Sequence, residues 1–99
     1  MTVYVVQEPK GLNIVSATKY GDFDIILPAT EHMTFNTEGV VEKIKTKLNN
    51  FKAQDYLLLL GDPAAIGVAT YFALEKHKSG QFLKWDRQEK MYYVVEVTL

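Results

Sequence analysis

The chain has 99 residues, of which 47% are hydrophobic and 23% charged, with a formal net charge of −1 at pH 7. That length fits one domain with one modest core, so residues 1–99 are read as a single globular unit. The composition excludes intrinsic disorder, the near-zero charge gives no global pull toward nucleic acid or anionic lipid, and the lack of cysteine excludes disulfides, thiolate zinc sites and cysteine nucleophiles.

The first residues, "MTVYVVQEPKG", have neither a basic leader nor a long apolar segment, so no signal peptide is expected. The longest apolar run is strand-sized, far short of the roughly 20 residues that span a bilayer. No membrane association is expected, and a cytoplasmic location is.

"TVYVVQ", residues 2–7, is β-branched and aromatic and reads as a strand ended by Pro9 and Gly11. "LNIVSAT", 12–18, reads as a second short strand. "KYGD" is a turn around Gly21, and "FDIIL", 23–27, is a third strand closed by Pro28. So short a separation makes a hairpin of the second and third strands the default. A further short strand is conceivable at Met33–Phe35.

Residues 37–52 read as a helix. Val40, Ile44, Leu48 and Phe51 share one face, Asn36 or Thr37 can cap it, and Glu38 and Glu42 suit its positive end. Tyr56–Leu60 is apolar without alternation, which indicates a strand covered on both faces. In the next helix Asp62 is the candidate cap and Pro63 the first helical residue. It runs to Lys76, His77 and Lys78, and Ser79-Gly80 is read as its stop. "QFLKW" and "MYYVVEV" then form a hairpin with the tip "RQEK". The expected fold is α/β (α+β): a mixed β-sheet with two helices, in the order β-β-β-α-β-α-β-β.

Three surfaces are candidates for function. The first is the strand–helix corner Gly61, Asp62, Pro63. A helix N-terminus behind a buried strand can hold phosphate or a nucleotide. Here Asp62 would occupy the same N–H groups, and GxxxxGK[ST] and GxGxxG spacings are missing, so a structural cap is the stronger reading. The second is a nucleic-acid or partner surface of Lys43, Lys47, Lys84, Trp85, Arg87 and Tyr92. Rings could stack on bases and cations could meet phosphates, against ordinary cross-strand pairs and solvated lysines. The third is the small-residue helix. Ala65, Val68, Ala69 and Phe72 leave it apolar nearly all round, so either the chain covers it or a second copy does. Gly67 costs helix stability, which close approach to the sheet would offset.

Catalytic signals are sparse. His32 and His77 lack metal-site spacing, and Ser16 and Ser79 lack a GxSxG context. Asp22 and Asp24 would share a strand face at a turn. No catalytic residue, metal or cofactor is expected.

With "LLLLGDPAAIG" and "LKWDRQEKMYYVVEV" in view, the chain resembles a family of small uncharacterised proteins from tailed bacteriophages, including phages of marine cyanobacteria. The likeness is strongest at Gly61, Asp62, Pro63, Ile66 and Gly67, and again over Leu83–Glu89 with Tyr92 and Tyr93. "VYVVQEPKG" and "YGDFDIILP" are less specific. The resemblance implies an accessory factor made inside an infected bacterium. The residues and the resemblance together lead to one expectation: a non-catalytic protein acting by binding, as a homo-oligomer or with an unidentified protein partner. A nucleic-acid-binding accessory protein is the rival.

Overall fold

The structure is a computed structural model, described here over residues 1–11 and 14–99. Five strands form one sheet: β1 (Thr2–Gln7), β2 (Asp22–Leu27), β3 (Tyr56–Leu58), β4 (Ser79–Asp86) and β5 (Met91–Thr98). Two helices, α1 (Thr37–Leu48) and α2 (Pro63–Glu75), connect β2 to β3 and β3 to β4. The strand order is β2-β1-β3-β4-β5. The first four strands are mutually parallel and β5 is antiparallel to β4. The mixed sheet with two helices is therefore as expected.

The expected second strand is not there. Of that stretch, Leu12 and Asn13 lie outside the described residues, while Val15–Tyr20 is a 3-10 helix. Its reason is a spacing of three: Ile14, Ala17 and Tyr20 all turn onto one sheet face, which a period of three residues per turn allows and a strand does not. In place of a 12–27 hairpin, β1 and β2 run parallel with Val5 beside Ile25, and this 3-10 segment bridges them. Met33–Phe35 is likewise a 3-10 turn and not a strand.

Alternation divides the core. Tyr4, Val6, Leu57 and Phe82 face the two helices, where they meet Val40, Ile44, Leu48, Ala65, Ala69 and Ala73. Val3, Val5, Leu58 and Leu83 face the other way, against Ala17 and Tyr92. Leu57 and Leu58 are both fully buried on opposite faces, as their unbroken apolar run predicted.

Two buried polar side chains tie down the ends of β1. The Asp55 carboxylate accepts from the backbone N–H of Thr2 at 2.9 Å and of Lys52 at 3.0 Å. Gln7 works at the other end and belongs to the candidate site.

Helix α2 does not stop at Ser79-Gly80, which already belong to β4. Lys78 turns the chain with φ of 56°, its N–H still bonded to the Leu74 carbonyl. Gly80 has a packing role instead, because a Cβ there would lie 3.0 Å from Leu74 Cδ2. Gly67 has none: it is exposed, and a Cβ there would meet nothing within 4 Å, so the expected close approach to the sheet is not made.

Candidate functional site

In a sheet of this order the chain leaves β1 toward one edge and β3 toward the other. The crevice beyond the carboxyl ends of strands at such a reversal is where doubly wound sheets bind ligands. Here it lies between Gln7, the last residue of β1, and the corner that follows β3. Gln7 fills it. Its Nε2 donates to the carbonyls of Pro28 at 3.1 Å and Glu31 at 2.6 Å, and its Oε1 accepts from the Asp62 N–H at 2.8 Å. Gly61 sits over this side chain at φ of 108°, and a Cβ at position 61 would lie 2.6 Å from Gln7 Oε1. The corner is thus packed by the protein's own amide.

Asp62 is the helix cap: its Oδ1 accepts from Ala64 N–H at 2.9 Å, with Pro63 opening the helix behind it. Gly61 supplies the left-handed turn, the cap satisfies one orphan N–H, and Gln7 covers the rest of the corner.

One strand further along, the crevice is open. A cleft of about 420 Å³ lies at the carboxyl ends of β3 and β4, lined by Leu59, Leu60, Lys84, Trp85 and Arg87. Trp85 is half-buried, one side of its ring packed on Tyr92 with centroids 4.8 Å apart and planes tilted by 60°. The neighbouring carboxylate, Asp86, bends into the hairpin tip, where its Oδ1 accepts from Gln88 N–H at 2.9 Å and Glu89 N–H at 3.0 Å. Neither Lys84 nor Arg87 has an ion-pair partner among the described residues.

The six residues considered as a nucleic-acid or partner surface are split. Lys84, Trp85 and Arg87 share the cleft. Lys43 and Lys47 lie on α1 beside the opposite sheet edge, where Lys43 Nζ meets Glu31 at 2.7 Å and Lys47 Nζ meets Asp24 at 2.8 Å. Tyr92 is buried under Trp85 and offers no free ring. Its hydroxyl has no hydrogen-bond partner among the described residues, and burial pushes it above the ordinary tyrosine range. Asp22 and Asp24 fall on one face of β2, as read, and Asp24 is held by Lys47.

The small-residue helix surface is also resolved. Ala65 and Ala69 are fully buried within the single chain, against the sheet and α1, and Val68 and Phe72 pack partly against the same core. Two of these four candidates therefore have no surface to give a second copy. Apart from scattered residues such as Phe35 and Val15, the exposed apolar side chains gather on β5. Met91 is 40%, Tyr93 43%, Val94 39% and Val95 40% exposed, with Tyr71 and Leu99 also open at the end of α2. A small apolar groove runs between Tyr71, Leu74, Lys78 and Leu99. Of this strand the candidate surfaces include only Tyr92, which is the residue the fold buries.

Among the described residues no group of three or more His, Asp or Glu side chains could hold a metal ion, and no helix is long and apolar enough to cross a membrane.

A family model described as Phage Pam3 gp32-like protein matches residues 1–99. The chain belongs to that phage protein family, as its resemblance to phage proteins implied. No curated protein and no solved structure matches it.

Proposed function

We propose that this member of the Phage Pam3 gp32-like family acts by binding, and that its first partner is a second copy of itself, joined edge to edge through β5. The observation behind this reading is the outer edge of β5, which no strand pairs among the described residues. It is eight residues long and carries Tyr93, Val94 and Val95 each about two-fifths exposed. Soluble proteins blunt such edges with lysines, prolines, bulges or cover, and β5 has one charge, Glu96.

Antiparallel pairing of β5 with its own copy is isologous and closes after two chains. It would satisfy the free backbone groups of both edges and make one continuous sheet twice as wide. The groove beside Leu99 would receive side chains of the partner. The setting is the cytoplasm of the infected bacterium, with further phage or host proteins bound by the assembled pair.

Light scattering on the eluting protein tests this. The expected mass at micromolar concentration is twice the 11.3 kDa of one chain. Val94→Lys places a guarding charge on the edge and should return the mass to that of one chain with an unchanged circular dichroism spectrum. A parent protein that stays at single-chain mass at high micromolar concentration sinks the reading.

A further inference from the structure

We infer that the Trp85 cleft is a binding site for a nucleoside phosphate, with the base against the tryptophan ring and the phosphate between Lys84 and Arg87.

Position is the first argument. The cleft opens where parallel strands of an open sheet end, on the side where such sheets take ligands. Gln7 closes the reversal point itself, so β3 and β4 supply the crevice that remains.

Size and lining are the second. About 420 Å³ falls within the roughly 300–1,000 Å³ of small-molecule sites, and the lining combines an apolar wall with a few polar groups, as such sites do. Leu59 and Leu60 give the wall. Trp85 is held from behind by Tyr92, so its ring is already fixed for stacking.

Charge is the third argument. Lys43 and Lys47 are neutralised by carboxylates within 2.8 Å, whereas the two cations of the cleft have none among the described residues. Asp86, which could have neutralised them, is turned into the hairpin tip by two backbone hydrogen bonds. Two free cations beside a stacking ring fit an anion carried on a planar ring.

The same features favour a free nucleotide over a strand of nucleic acid. A strand binder needs a basic groove that follows several phosphates. Here the positive charge of the cleft comes from two residues, and Lys43 and Lys47 of α1 are paired at the opposite edge.

Trp85 is the only tryptophan, so its fluorescence reports on the cleft alone. AMP titrated into the protein at low salt should quench it saturably, with affinity falling as salt rises. Adenosine should bind about tenfold more weakly or worse, because it lacks the charged contacts. Lys84→Ala combined with Arg87→Ala should remove that preference for AMP while the far-ultraviolet spectrum stays that of the parent. Absence of saturable quenching by AMP up to low millimolar concentration overturns the inference, as does equal binding of adenosine and AMP. A thymidine oligonucleotide that binds more tightly than AMP by more than its number of sites explains would overturn it in favour of a strand. None of these readings depends on the chain being a dimer, and the Val94→Lys variant should keep its AMP response.

Discussion

The two ends of the sheet are built differently. On the β2 side the named charged side chains are paired and the strand exit is held: Asp24 with Lys47, Glu31 with Lys43, and the exit of β2 clamped by Gln7. On the β5 side groups are left over. The edge strand is apolar, Tyr92 buries a hydroxyl without a partner among the described residues, and Lys78 and Lys90 sit at φ of 56° and 52° where glycine is the easier residue. One side is optimised for the single chain and the other is not, and incompletely matched surface concentrates where a protein meets something else.

The sharpest way to break this contrast is to loosen the matched side. Gln7→Ala would strand the Asp62 N–H and the carbonyls of Pro28 and Glu31 together. The expected loss is about 2–3 kcal/mol in a urea melt, with the exit of β2 loosened first. A loss below about 0.5 kcal/mol would show that water replaces the amide and that the clamp contributes little.

Helix α2 should accept improvement. Gly67→Ala adds a methyl to open space on a helix and should stabilise by about 1 kcal/mol, read from the same melt. A destabilised variant would mean that residue 67 is covered by something other than the single chain, which would point back to assembly.

Tyr92→Phe is the smallest change and the most informative about pH. Removing a buried hydroxyl with no partner among the described residues should be neutral or stabilising by up to about 1 kcal/mol near neutral pH. The phenol of Tyr92 is raised by its burial, and that of Tyr4 by burial and then by the carboxylates of Asp55 and Asp24. A raised folded-state value means that the neutral form is favoured in the fold. Stability is therefore complete below pH 10 and is lost as pH rises through the raised values. Tyr92→Phe should reduce that alkaline loss, and Tyr4→Phe should reduce it further. Identical alkaline midpoints for parent and Tyr92→Phe would contradict the burial of that ring.

Much of this architecture was readable from local pattern. The β-branched and aromatic run of residues 2–7, the unbroken leucines before Gly61, the spacing of four between Val40, Ile44 and Leu48 in α1 and the Asp62-Pro63 helix start are all consequences of neighbours in the sequence, and all are in the structure. What escaped is what local pattern does not carry. Residues 14–20 are β-prone by composition, yet the sheet face above them selects the period of three in Ile14, Ala17 and Tyr20. Gln7 and Asp55 look like strand ends, and their importance comes from partners up to 55 residues away. The cleft was half legible. Lys84, Trp85 and Arg87 were singled out together, whereas Leu59 and Leu60 join them only because β3 and β4 end side by side.

The hydrogen bonds of Gln7 span 21, 24 and 55 residues of chain. No short segment can form them alone, and none survives unless the segments after β1, β2 and β3 are in place at once. The Asp62 amide therefore acts as a tally of the whole fold. In deuterated solvent its proton should be among the last to be replaced, although it sits in a turn at the surface, where amides ordinarily exchange early. A single peptide N–H would then time the opening of the entire molecule.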